Sequence, residues 1–393
     1  MRSPEKSPWT QIIPTKWGAI PLKHLSSIDN SGSWGNEPDD CENPIPVLRT
    51  ADFDMFGNIN VDHAQLRCLG DDLQLRYCCR PGDILVVKSS GSATNVITGK
   101  AVLVKGSEGK IAFSNFLLRI QPDTLRIAPQ FLFYFLTSSI IREQILLMVS
   151  TTTYPNLKVG EYISFKVPLP SMDDQHRVTD YLDREITQID GLIGQKERML
   201  GLLEEKRAAL ISRAVTRGLD PDAPLKPSGY PWLSDTPAHW KVKRSKQVLK
   251  ERDERSITGG EELLTVSHIT GVTKRSEKEV YMFEAETNEG YKRCSPGNLV
   301  INTLWAWMGA MGIAWEAGIV SPAYHVYKLS PERLPVPPLK EQQQIIDAIV
   351  SERQQTAEME AVLNKSIELL KERRSALITA AVTGQLNISG EAA

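Results

Sequence analysis

The chain carries one long motif twice, and this duplication constrains its fold more than any other feature. Residues 173–219 (DDQHRVTDYLDREI…LLEEKRAALISRAVTRGL) align without a gap with residues 340–386 (KEQQQIIDAIVSER…LLKERRSALITAAVTGQL) at an offset of 167. Gln175 recurs as Gln342, Leu203 as Leu370, Glu205 as Glu372 and Arg207 as Arg374. The closing runs Ala209-Leu210-Ile211 and Ala214-Val215-Thr216 recur as Ala376-Leu377-Ile378 and Ala381-Val382-Thr383. Each copy follows a proline-bounded lead, VPLPSMDDQ in the first and LPVPPLKEQ in the second. Proline lacks the N–H that a helix interior needs, so both leads read as extended entries to a helix. Chance similarity between two coiled coils would not also reproduce the prolines and the AVT exit. Self-similarity at a fixed offset means one unit built twice in tandem.

The segments ahead of the helices correspond as well. Pro14 and Trp17 in IPTKWGAIPL match Pro237 and Trp240 in TPAHWKVKRS. RPGDILVV (80–87) mirrors SPGNLVIN (295–302), a Pro-Gly turn feeding a short strand. FSNFLLRIQP (113–122) mirrors PAYHVYKLSP (322–331). The first helix has a seam of Ile186, Ile193, Leu200, Arg207 and Ala214 alternating with Leu182, Ile189, Lys196, Leu203 and Leu210. About forty residues at roughly 1.5 Å each make a rod near 60 Å. The second helix is patchier, with Arg353 and Glu360 in the seam beside Ile346, Ile349, Leu363, Ile367, Leu370 and Leu377. Eight acidic and eight basic residues over 174–217 mark an ordinary solvated face.

The expected order is a globular domain over 1–170, a spacer helix over 171–217 and a linker over 218–240. A second globular domain over 241–335, a second spacer helix over 336–386 and a tail over 387–393 complete it. A chain of 393 residues suits two or three domains. Hydrophobic residues at 41% and charged residues at 24% are globular proportions. No run of eighteen apolar residues suggests a membrane span, and MRSPEKSPWTQIIP has no apolar signal region. Cys41, Cys68, Cys78, Cys79 and Cys294 lack C-x-x-C spacing and read as reduced packing thiols of a cytoplasmic protein, with no metal site.

A net charge of −2 gives no global attraction for nucleic acid, so DNA binding has to rest on local surface. KVKRSKQVLKERDER (241–255), with seven bases against three acids, reads as solvated surface or as a helix facing phosphates. No phosphate loop, dinucleotide fingerprint, H-E-x-x-H, G-x-S-x-G or zinc-deaminase signature occurs, nor an Asn/Asp-Pro-Pro-aromatic methyltransferase tetrapeptide. The pair Asp52 and Asp54 in TADFDMFG reads as a turn whose aspartates bond their own backbone.

These elements together resemble the specificity subunits of type I restriction-modification enzymes. The resemblance rests on KWGAIPLKHL, the two proline-led helix entries, KRAALISRAVTRG with its partner RRSALITAAVTGQ, and GIVSPAYHVYKL (318–329). It implies an α+β chain: two tandem α/β target recognition domains separated by two long antiparallel coiled-coil helices in a pseudo-two-fold arrangement. It further implies a non-catalytic subunit without a cofactor that reads a bipartite target in double-stranded DNA. The implied partners are two methyltransferase subunits, joined in some systems by restriction-translocase subunits, with no membrane involved. A coiled-coil scaffold that reads no DNA, a subunit using only one half-site, and a stand-alone DNA enzyme are the competing readings.

Specificity needs hydrogen-bonding side chains at base edges, while cations grip phosphates without reading sequence. The first module offers KSSGSATNVITGK (88–100), with Ser89, Ser90, Ser92, Thr94, Asn95 and Lys100. It also offers STTTYPNLKVG (150–160), with Thr152, Thr153, Tyr154, Asn156 and Lys158. In the second module INTLWAWMGAMG (301–312) carries Thr303, Trp305 and Trp307, and the tryptophans read either as core or as a stacking surface for a base. His268 and Lys274 sit on neighbouring loops.

The two modules are unequal. Between Pro122 and Pro168 lie 45 residues, including a helix expected over APQFLFYFLTSSIIREQILLMV. Between Pro331 and Pro335 lie three, so 42 residues have no counterpart. The second module is therefore expected to be impaired in packing and in DNA reading.

Overall fold

The computed structural model describes residues 13–54, 56–89, 96–106, 110–148, 155–230, 233, 235–241, 249–277, 287–329 and 337–388. Two compact units emerge, Met1–Gly201 with Met359–Ala393 and Leu202–Glu358.

In the first unit, strands β2 (Ser26–Asp29), β8 (Leu117–Pro122), β5 (Ile84–Val87) and β6 (Ala101–Leu103) form an antiparallel sheet in that order. A second sheet holds β4 (Gln65–Arg67), β3 (Ile45–Leu48) and β7 (Ala112–Phe113). Strand β1 (Gly18–Pro21) pairs with β9 (Lys166–Leu169), and short helices α1 (Asp71–Tyr77) and α4 (Val159–Tyr162) complete the connections. The uninterrupted ILVV run of β5 is explained by burial on both faces. Ile84 and Val86 enter one apolar cluster, while Leu85 and Val87 enter the other.

Helices α2 (Pro129–Thr137) and α3 (Ser139–Met148) cover the Ile84 face with Phe131, Leu132, Phe135 and Ile141. The sequence pattern predicts one helix here, but the chain bends by 57° at Ser138. Ser138 is extended (φ −67°, ψ 154°), and the Ser139 N–H turns to the Thr379 hydroxyl at 3.1 Å. A long-range partner thus replaces an intrahelical one. Among the described residues no single helix is long and apolar enough to cross a membrane, and the apolarity of this bent pair belongs largely to the core.

The long helices are α5 (Met172–Arg217) and α6 (Leu339–Val382). They run antiparallel in the first unit, where Arg374 binds Asp190 at 2.8 Å and Lys371 faces Glu197 at 3.9 Å. They do so again in the second unit, where Lys206 meets Glu352 at 2.8 Å. The seam residues Leu182, Ile186, Ile189 and Ile193 are buried. On α6 the seam passes through Ile345, buried, and not through the neighbouring Ile346, which is 52% exposed. Ile345 and Ile349 share one face at the four-residue spacing that Ile346 misses.

The repeated motifs have repeated jobs. The Trp17 and Trp240 amides each donate to the proline carbonyl three residues back, Pro14 and Pro237, at 2.9 Å. Each tryptophan then sits against a glycine just past the end of a long helix, Trp17 on Gly384 and Trp240 on Gly218. Both glycines have φ above +70°, the left-handed exit that a side chain resists.

The second unit contains a matching sheet in the order β12 (Leu249–Glu251), β19 (Tyr324–Leu329), β16 (Asn298–Asn302) and β17 (Met311–Ile313). Hairpin β13 (Leu264–Ser267) with β14 (Gly271–Lys274), and the pair β15 (Lys292–Cys294) with β18 (Gly318–Val320), pack on one face. A small pair, β10 (Leu225–Lys226) with β11 (Thr236–Pro237), lies in the stretch between α5 and this sheet.

Two sequence expectations need correction. Cys41 and Cys68 form a disulfide and are not reduced thiols. The bridge between Asn36 and Cys68, with the tight turn Pro38–Asp40, brings their Cα atoms to 5.8 Å, a span a disulfide accepts. Cys78, Cys79 and Cys294 are free, and no cluster of metal-binding residues occurs among the described residues. The basic run 241–255 does not end as a helix: Leu249–Glu251 is a strand, and residues 242–248 lie outside the described residues. Among the described residues of the run, both guanidinium groups are engaged, Arg252 with Ser295, Asn298 and Glu254, and Arg255 with Asp253. Asp52 and Asp54 do bond local backbone, Asp52 accepting from the Arg49 amide and Asp54 from the Phe56 and Asn58 amides.

Candidate nucleic-acid interface

In the first unit the two polar loops meet at one end of the sheet. Ser89 bridges to Asn156, and the Leu157 amide donates to the Lys88 carbonyl at 2.7 Å. The Thr98 hydroxyl donates to the Pro155 carbonyl at 2.6 Å, tying the second loop to the first again. Ser90, Ser92, Thr94, Asn95, Thr152, Thr153 and Tyr154 lie outside the described residues. Asn156 and Lys158 are exposed, and Lys158 pairs with Glu161 at 3.3 Å.

Lys100 faces inward: its ammonium donates to the Phe53 carbonyl at 3.0 Å, and burial holds its pKa below the usual lysine value. The sequence reading missed Arg142, which comes from α3 and donates to the Thr98 carbonyl at 2.8 Å and to the Val96 carbonyl. It also missed Lys88, whose ammonium anchors to the Asn30 carbonyl at 2.8 Å. Both residues fix the roots of the loop. Gly99 is φ +82°, and a Cβ there would stand 2.4 Å from Ile145 Cδ1, so α3 presses directly on the loop. A single arginine in a mostly apolar helix is the one sequence signal that marks this anchoring.

In the second unit Thr303, Trp305 and Trp307 share one turn. The Thr303 hydroxyl donates to the Ala323 carbonyl, and Asn302 below it donates to the Val266 carbonyl at 3.3 Å. The tryptophans are not core: Trp305 is 51% and Trp307 79% exposed. Their rings are near parallel with centroids 6.3 Å apart. That distance bounds the spacing of the ring planes, and a base held between two rings needs about 6.8 Å, twice the 3.4 Å stacking step. The pair is therefore a ledge with outer faces to offer, not a clamp.

His268 is exposed at the tip of the β13–β14 hairpin, whereas Lys274 lies at the hairpin's opposite end. The Glu316 carboxylate binds Lys274 at 3.0 Å and pushes its pKa above the ordinary value. The structure thus joins Ser89 with Asn156 and Thr303 with the two tryptophans, and it separates Lys274 from His268.

No known family model matches the chain. The type I restriction enzyme StySPI specificity subunit of Salmonella potsdam is 26% identical over 140 residues, 35% of this chain and 28% of that protein. The EcoBI specificity subunit of Escherichia coli is 21% identical over 256 residues, 63% of this chain and 50% of that protein. The chain therefore spans at most about half the length of these curated relatives in the matched regions. A chain from a structure concerned with complex assembly and conformational transition of the type I R-M system superposes with a TM-score of 0.60. It is 15% identical and covers 95% of this chain and 99% of that one, which shows a shared fold.

Proposed function

From this similarity to type I restriction enzyme specificity subunits, in sequence and in fold, we propose that the chain reads DNA sequence for partner subunits that carry the chemistry. Methyltransferase subunits, two by the resemblance, would supply adenine methylation, and restriction-translocase subunits would join for cleavage. The cytoplasm, where the DNA lies, is the compartment this reading requires. The chain itself is non-catalytic in this reading, in keeping with a sequence that carries no donor-binding or methyltransferase motif.

The observation that carries the proposal is the bridge between Ser89 and Asn156. It gathers two polar loops at one end of a tightly packed sheet, as a reader of base edges requires, since hydroxyl and amide groups discriminate bases only when held in register. Polar contacts from Ser89, Asn156 and Lys158 at the first half-site, and from His268, Lys274, Thr303, Trp305 and Trp307 at the second, form the proposed interface. The two helices would set the unread gap between half-sites.

A second reading, in which only the first module reads DNA, is favoured by the 42 residues that the second module lacks. Co-expression with a cognate methyltransferase subunit, followed by mapping of methylated adenines, decides between them. A split motif with a fixed gap is expected. A single half-motif, or a palindrome made from one half, selects the second reading. A stable complex without methylation would sink both and leave a coiled-coil scaffold.

A further inference from the structure

A chain of hydrogen bonds runs from the C-terminal long helix to both polar loops of the first unit. It begins at Thr379 on α6, whose hydroxyl accepts the Ser139 amide at 3.1 Å and pairs with the Ser139 hydroxyl at 2.9 Å. Ser139 opens α3, and the 57° bend before it frees the amide that Thr379 takes up. Less than one turn later Arg142 spreads two nitrogens onto the Thr98 carbonyl, at 2.8 Å, and the Val96 carbonyl. Thr98 is fully buried, and its hydroxyl donates to the Pro155 carbonyl at 2.6 Å. The path ends beside the bridge between Ser89 and Asn156. There the Gly99 amide donates to the Val87 carbonyl at 2.8 Å and the Leu157 amide to the Lys88 carbonyl at 2.7 Å.

Each link suits the residue that makes it. A guanidinium is a planar fork, so Arg142 fixes two carbonyls at once, which an ammonium on a flexible stem holds less firmly. The other copy of the repeat shows that the link to α6 is not a general property of these helices. Ser212 holds the place of Thr379 at the offset of 167, yet it is exposed. Ser139 and Arg142 fall in the stretch that the second module lacks. A hydroxyl kept in both copies thus has this long-range partner only in the first.

We propose that Thr379 and Arg142 are positioning residues for base discrimination at the first half-site, acting through Ser89 and Asn156. The inference rests on the DNA-reading function proposed above and names what outside the loops sets its accuracy. Hydroxyl and amide groups tell bases apart only when held within about 0.5 Å of the productive geometry. Contacts to phosphates carry no sequence information, and they tolerate a looser loop. Loss of the anchor therefore lowers discrimination more than it lowers overall binding.

The test uses the full chain in complex with a cognate methyltransferase subunit. Methylation kcat/KM is measured on the cognate duplex and on duplexes with single base changes in the first half-site, and their ratio is the discrimination. T379V keeps the shape of threonine without its hydroxyl and should lower that ratio roughly threefold. R142A, which removes two hydrogen bonds, should lower it roughly tenfold, with R142K between the two. S212A, the same hydroxyl in the other copy, should leave it unchanged. Hydrogen exchange at the Leu157 amide should quicken in T379V and R142A, since that amide ties the second loop to the first. If R142A does not fold, T379V and R142K carry the test. A purely structural role lowers the rates on all duplexes together, so an unchanged ratio in the folded variants overturns the proposal. A wild-type complex that methylates no defined sequence overturns the DNA-reading function itself, and this inference with it, before any variant is compared.

Discussion

Gln175 and Gln342 hold the same place in the two copies of the repeat, and each donates to the proline carbonyl five residues before it, Pro170 and Pro337, at 3.0 Å. Gln175 does more. It accepts the Ala128 amide at 2.7 Å and donates to the Arg126 carbonyl at 3.2 Å, fastening the start of α5 to the lead of α2. Gln342 has no corresponding helix pair to fasten, because the 42 residues that would form it are missing. The arginines diverge likewise. Arg374 grips Asp190 with two nitrogens, whereas its counterpart Arg207 has Ala357 at the position equivalent to Asp190. Local motifs are thus kept in both copies, while the long-range contacts they serve exist in full only in the first. In the first unit one face of the sheet shares a continuous core with α2, α3 and the long helices. In the second, sheet and helices hold separate clusters among the described residues.

The largest expected consequence concerns the face beneath α2. Phe131→Ala should cost the first unit about 3–5 kcal/mol, because Phe131 is fully buried and leaves a cavity. Ile301→Ala in the second unit should cost only about 1 kcal/mol, since a half-buried side chain gives up less transfer energy. Denaturant unfolding followed by probes in each unit measures both, and equal losses would break the comparison.

The arginine pair gives a smaller contrast. Arg374→Ala should cost about 1.5–3 kcal/mol, the range for hydrogen bonds to a charged group. Arg207→Ala should stay within about 0.5 kcal/mol. A double-mutant cycle of Arg374 with Asp190 sharpens the result, because a coupling near zero would mean that the bidentate contact holds nothing.

The smallest effect is expected from Asp29. Burial alone would raise its pKa, yet the Ser31 hydroxyl and amide and the Arg119 guanidinium together hold it below the ordinary carboxylate value. A depressed pKa stabilises the fold above the unfolded value of about 3.9 and loses that contribution as pH falls through the folded value. Asp29→Asn should flatten the acid loss of first-unit stability as pH falls below about 3.9 and leave the slope near neutrality unchanged. An unaltered acid profile would show that the Arg119 cluster contributes nothing to pH dependence.

Much of the architecture was legible in the residues themselves. The offset of 167, the proline leads, the heptad seam from Leu182 to Ile193 and the Pro-Gly-fed strands are all short-range patterns, set by helix and strand periodicity within a few residues. The shortened interval of the second module was equally plain, because a repeat exposes its own omissions. What the sequence left open depends on partners far along the chain. Cys41 finds Cys68 across 27 residues, Ser139 leaves its helix for Thr379, and Ser89 meets Asn156. The two tryptophans could be core or surface by composition alone, and the structure leaves both exposed. Local periodicity fixes which elements form, whereas burial and pairing depend on which other elements reach them, and only the tertiary structure decides that.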